Sequence, residues 1–153
     1  MIFSAVLIRN ALLAVHLLCA VIWVGGGFAV VVVLRPALNL LDAGPRLQVQ
    51  MNTLKKFFFY VWHVMPLMLL TGWAMIYSEW GSFAILPLSI NIMQGVALLM
   101  AGIFVYTFFR PWQRLRRAIR PSAEQMAAVR KLVTVNFVLG FLAVTAGALG
   151  HVW

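Results

Sequence analysis

Four uninterrupted apolar stretches constrain this chain more than anything else in it. They cover residues 11–34, 57–77, 86–109 and 132–152. Roughly 20 predominantly apolar residues cross the hydrocarbon layer of a bilayer as a helix. Inside lipid the backbone must satisfy its own hydrogen bonds, so only helices and closed barrels span it. A barrel would show alternating segments of about ten residues, and the sequence contains none. The expected class is therefore all-α: a polytopic membrane four-helix bundle, with residues 1–153 forming a single transmembrane domain. Composition agrees. With 64% hydrophobic and 10% charged residues, too few polar groups remain to cover a water-facing surface, given that a soluble domain carries about 25% charge. The first stretch is too long for a secretory signal core and lacks a basic start and a small-residue cleavage site, so a retained span is expected there.

The charges set an orientation. The formal net charge is +9, which in a soluble protein would suggest nucleic acid. Here the cations sit in two short segments between apolar stretches, which is a topology signal and excludes that class. Arg35, Arg46, Lys55 and Lys56 lie between the first two spans. Arg110, Arg114, Arg116, Arg117, Arg120, Arg130 and Lys131 lie between the last two. The middle segment 78–85 holds only Glu79, and the N-terminal segment only Arg9. Basic loops stay in the cytoplasm, so both termini and the middle loop are expected outside, on the periplasmic face of a bacterial-type inner membrane.

Each half of the chain reads as a span, an Arg-Pro pair, a polar stretch and a second span. Arg35-Pro36 and Arg110-Pro111 are expected to close the first and third helices, because proline lacks the amide that continues one. The pattern fits a parallel duplication of a helical hairpin, or simply two similar helix ends. Residues 111–120 interleave Trp112, Leu115 and Ile119 with four arginines. They read either as an interfacial amphipathic segment or as a solvated helix extension.

Ionisable groups inside spans are costly and point to function. The spans hold His16, His63, His151 and the single cysteine, Cys19, with Asn91, Gln94 and Asn136. One cysteine permits no internal disulfide. The cytoplasmic charges serve as a ruler at about 1.5 Å per residue. His16, Asn91 and Met75 then lie roughly 28 Å from their anchors and His151 roughly 30 Å. Cys19 and Gln94 lie at about 24 Å, whereas His63 and Asn136 lie at about 10 and 8 Å. Helical spacing puts His16, Cys19, Trp23 and Gly27 on one stripe, and Asn136, Gly140, Ala143, Gly147 and His151 on another. Their small residues favour close helix contact, so both stripes are expected to face inward.

Two chemistries fit an outer cluster. Imidazole with soft sulfur selects copper, Cu(I) above all, and His16 with His151, Cys19, Met75 and Met93 would be such a set. Alternatively, His16 and His151 on facing helices could hold a b-type haem, with Arg9 near a propionate and quinol or a periplasmic protein as electron partner. Simpler roles stand beside these. His151 with Trp153 is an ordinary interfacial pair. His63 could bond Asn136 and hold the second helix at a Pro66 break. Cys19 is a small packing residue, and Asn91, Gln94 and Asn136 serve as interhelical hydrogen-bond groups or supports behind ligands. A cofactor-free assembly subunit is the third reading. No hydrolytic constellation occurs, and Asp42 and Glu124 lie in the basic loops; no enzyme is expected, with a haem-based redox activity as the alternative.

The order of several short motifs resembles the small CopD-type (copper-resistance D) membrane proteins. His16 followed by Trp23-Val24-Gly25-Gly26 and closing at Leu34-Arg35-Pro36 is similar to their first helix. Phe57-Phe58-Phe59, Val61-Trp62 and Thr71-Gly72 are similar to the second; Met93, Gly95, Met100 and Phe104 to the third; Arg130, Val133, Asn136, Leu139 and Gly140 to the fourth. The resemblance implies a four-helix membrane fold and a role in copper uptake or tolerance, with the first-helix histidine carried to His16. Relatives often place a histidine where Asn91 stands, and here the sequence departs. The HemJ-type protoporphyrinogen oxidases share a first-helix histidine but use a third-helix lysine, and residues 86–109 contain no lysine. The expected partners are the lipid bilayer, a periplasmic copper or redox protein or quinol, and in one arrangement a second copy of the chain.

Overall fold

The computed structural model describes residues 2–150. Four helices in it are long and apolar enough to cross a membrane: α1 (Val6–Leu40), α2 (Ala43–Trp80), α3 (Leu88–Arg117) and α4 (Ala123–Leu149). No strand occurs among the described residues. The outward faces carry Leu18, Leu70, Leu99 and Phe141, all exposed, as a lipid-covered bundle requires.

The helix ends have local causes. Gly81 stops α2 in the left-handed conformation, at φ 62°, and donates its amide to the Tyr77 carbonyl at 3.0 Å. A side chain there would strain the backbone, so glycine suits that position. Ser122 starts α4 with a reciprocal cap, its hydroxyl accepting from the Gln125 amide and its own amide donating to the Gln125 side chain, both at 3.1 Å. Two donors that the first helical turn would leave free are thereby satisfied.

The Arg-Pro pairs do not close their helices. The first runs past Pro36 to Leu40 and the third past Pro111 to Arg117. In α1 a wide, i→i+5 turn covers Ala29–Leu34, directly before Arg35-Pro36, and another covers Val21–Gly25. In α3 the same kind of turn covers Phe108–Trp112 and contains Pro111. A widened turn absorbs the missing proline amide and the ring's clash with the preceding turn, so the chain stays helical. Pro66 likewise lies inside α2 without ending it. Nor does segment 111–120 lie on the membrane surface as a unit: Trp112 and Leu115 are buried in the core, while Ile119 is fully exposed.

The chain folds as two antiparallel hairpins, α1 along α2 and α3 along α4, which join where the middle of α1 meets α4. Small residues allow that approach. A Cβ on Gly140 would lie 2.7 Å from Val24 Cγ2, one on Gly27 3.3 Å from Phe137, and one on Gly147 2.9 Å from Met93 Sδ. Asn136, buried on the same stripe, donates from Nδ2 to the Met100 carbonyl at 2.7 Å and ties α4 to α3. An aromatic cluster fills the other half of the core. The Phe104 ring lies 6.2 Å from Trp23, 5.8 Å from Phe58 and 5.4 Å from Trp62, so α1, α2 and α3 meet at one side chain. Edge-to-face and tilted pairs at these distances are favourable beyond the apolar area they bury.

This packing brings both basic segments to one end of the bundle, where Arg35 and Arg130 line a common pocket. At the other end Arg9 is paired with Glu79 at 3.2 Å. The cation nearest the N-terminus is thus matched by Glu79 in the last turn of α2.

Candidate functional site

His16 sits on the inward stripe of α1, half-buried, with Cys19, Trp23 and Gly27 buried behind it. Its imidazole reaches across to α2. Nδ1 lies 2.9 Å from the Met68 carbonyl oxygen and 3.3 Å from Thr71 Oγ1. A carbonyl can only accept, so Nδ1 carries the proton and donates, and in the neutral ring Nε2 is left with a free lone pair. Thr71 reinforces this, because its hydroxyl hydrogen points to the Leu67 and Met68 carbonyls at 2.8 and 3.0 Å. Only the oxygen lone pair then faces the ring. Gly72 provides the space: a Cβ there would lie 3.1 Å from His16 Cε1 and 3.4 Å from Nδ1.

This is the arrangement in which a metal-binding histidine is usually held, one ring nitrogen fixed on a carbonyl and the other open to the ion. Cys19 lies one turn along the same face and is buried, and Met68, whose carbonyl holds the ring, is itself buried. No group of three or more histidine, cysteine or acidic side chains occurs among the described residues. What the fold offers is one oriented nitrogen on an inward face, with a buried cysteine one turn away.

The other candidates are dispersed. His63 faces outward on α2, its Nδ1 bonded to the Phe59 carbonyl one turn back at 2.7 Å and its ring 4.6 Å from that of Phe59. The expected His63–Asn136 pairing does not form. The inward face of α2 is Val61, Val64, Met65 and Met68, which turns His63 away from α4, and Asn136 spends its amide on Met100. Met93 packs its sulfur on Gly147, and Met75 is half-buried near the end of α2. Asn91 is exposed and donates to the Leu86 carbonyl at 3.3 Å. Gln94 Oε1 is buried without a partner among the described residues. Arg9 is engaged by Glu79. His151 lies outside the described residues, and with it the expected His16–His151 pair.

Depth is the second adjustment. The ruler levels His16 with Met75, yet its contacts are Met68, Thr71 and Gly72, about one turn nearer the basic end. The two widened turns of α1 account for the direction of the shift, since they spend more residues per unit of rise than an α-helix. Sequence reasoning also missed Thr71 and Gly72 as partners of His16. Their adjacency in an otherwise apolar span was the available signal, a small gap beside a hydroxyl.

A family model described as copper resistance protein D, CopD, matches residues 51–149. The match covers Met68, Thr71 and Gly72 together with α3 and α4, and begins after α1. No curated protein and no solved structure matches the chain.

Proposed function

This chain belongs to the copper resistance protein D family, and we propose that it binds copper as cargo within the membrane through the Nε2 atom of His16. The family and the four apolar helices make it a multi-pass membrane protein related to copper resistance. The observation that carries the finer reading is the His16 Nδ1–Met68 carbonyl bond at 2.9 Å. It selects the tautomer in which Nε2 is an acceptor, holds the ring against rotation, and does so on an inward face. A lone imidazole with a cysteine one turn away on the same helix face suits Cu(I), which tolerates low coordination and prefers soft ligands. Cys19 on α1 is the second ligand in this reading, its thiol giving up a proton as it binds. Met75 and Met93 stand apart from His16, on α2 and α3, and are not ligands in this reading. An incomplete ligand set suits a transit point, since an ion held by few donors leaves readily.

The charge asymmetry supports the orientation. With the basic end in the cytoplasm, the His16 site opens towards the periplasmic half of a bacterial-type inner membrane, and both termini lie outside. A periplasmic copper protein is the partner that such a position implies.

Elemental analysis of the purified protein tests the proposal. The wild-type chain carries copper above background after loading with Cu(I), His16→Ala loses it, and outward-facing His63→Ala keeps it. Equal copper in all three would remove His16 from the site. A visible spectrum of the same preparation separates the haem alternative: a Soret band that survives purification would replace copper with haem b and exchange the cargo reading for electron transfer.

A further inference from the structure

We propose that Arg35 and Arg130 form a socket for the phosphate of an anionic phospholipid, with an acyl chain lying along the apolar cleft between α1, α2 and α4. Arg35 and Arg130 both line one pocket at the basic end of the bundle, together with Gln50 and the apolar Val31, Leu34 and Val133. Neither has an ion-pair or side-chain hydrogen-bond partner among the described residues, where the single salt bridge is the distant Arg9–Glu79 pair. Arg46, on the same end, shows the contrast: its guanidinium is satisfied by the Leu41 carbonyl at 2.8 Å and the Asn39 carbonyl at 3.3 Å.

Arg35 is exposed and Arg130 half-buried, so both are within reach of an anion arriving from outside the protein. Planar guanidinium forks match phosphate oxygens in pairs, and the Gln50 amide supplies a further donor. The position selects the source of the phosphate. Arg35 follows the apolar run of α1 and Arg130 precedes that of α4, which puts the pair at headgroup level. The pocket volume is about 30 Å³, roughly twice what one water needs, which is room for headgroup oxygens. Its apolar walls continue into the lipid-facing surface at exposed Val32 and Val33. Basic pockets of this kind between membrane helices are suited to anionic headgroups. The inference is independent of what binds at His16, which lies in the other half of α1.

Native mass spectrometry of the protein in mild detergent tests it, with phosphatidylglycerol, phosphatidylcholine and inorganic phosphate added separately. Wild-type protein retains phosphatidylglycerol about 25-fold more tightly than phosphatidylcholine, on the order of what two cations near the headgroups contribute. The Arg35→Gln/Arg130→Gln variant loses that preference. Lys55→Gln/Lys56→Gln removes the same formal charge from the same end and keeps it. Arg35→Lys/Arg130→Lys retains charge without the fork and falls between. Equal loss in the two glutamine variants would assign the effect to diffuse surface charge, and displacement of the lipid by millimolar phosphate would make the free anion the occupant; either result overturns the proposal. Should the arginine-to-glutamine variant aggregate, the thermal midpoint of wild-type protein in the two lipids decides: no rise in phosphatidylglycerol over phosphatidylcholine also overturns it.

Discussion

His16 takes its chemistry from what its protonated nitrogen touches. The Met68 carbonyl and Thr71 hydroxyl determine which ring nitrogen is open, and Gly72 determines whether the ring can lie there at all. Gly72→Val should therefore act like a ligand mutation without removing a ligand, because the added methyl groups would drive the ring off Met68. Groups behind a metal-binding histidine typically affect affinity by about 10–100-fold, and a loss of that size is expected in competition with a Cu(I) chelator. Gly95→Val is the control, since a Cβ there meets nothing within 4 Å, and it should leave affinity unchanged. A similar loss in both variants would mean that the Gly72 effect is general. The candidate site was half legible at this scale. An inward-facing histidine beside a cysteine can be read from helical spacing alone, and Cys19, Trp23 and Gly27 are indeed buried. The partner of that histidine cannot be so read, because it belongs to another helix and depends on how the two slide past each other.

At the scale of the helices, close contact rests on glycine. Gly140 of α4 faces Val24 of α1 and Met100 of α3, where an added Cβ would come within 2.7 and 3.0 Å. Valine is stiff at χ1 and cannot simply swing aside, so Gly140→Ala is expected to destabilise the bundle by about 1–3 kcal/mol, the usual range for overpacking. Gly102→Ala, where nothing lies within 4 Å, should cost nothing. Thermal unfolding in one detergent checks both, and a neutral Gly140→Ala would show that the hairpins are not in tight register. The inward placement of Asn136, Gly140 and Ala143 follows from their spacing and small size. The continuation of α1 and α3 beyond their prolines does not follow from local sequence. Proline removes one hydrogen bond wherever it sits. Whether the helix breaks or widens depends on what the residues beyond it gain, and Trp112 and Leu115 gain full burial against the rest of the bundle.

At the scale of the whole molecule the charge pattern becomes a physical asymmetry. One end gathers the arginines and lysines of both basic segments, while the other carries a compensated Arg9–Glu79 pair. In cells, with Cys19 replaced by alanine, a membrane-impermeant maleimide should label a cysteine introduced at Ser82 from outside and fail to reach one at Asn39. Both native residues are exposed, so accessibility is not otherwise limiting. The opposite labelling would invert the orientation and turn the His16 half towards the cytoplasm.

The sequence by itself determined that the chain is helical, that four of its helices are long and apolar enough to cross a membrane and that its cations gather at one end. Those properties come from apolar length and charge position, which act on every segment separately. The tertiary structure alone decided that His16 meets Met68 and Thr71, that His63 looks outward, that Asn136 serves Met100, and that Arg35 and Arg130 share a pocket. Each of these depends on the relative rotation and sliding of two helices. That is governed by side-chain packing summed over the whole contact, in which one widened turn displaces every neighbour beyond it.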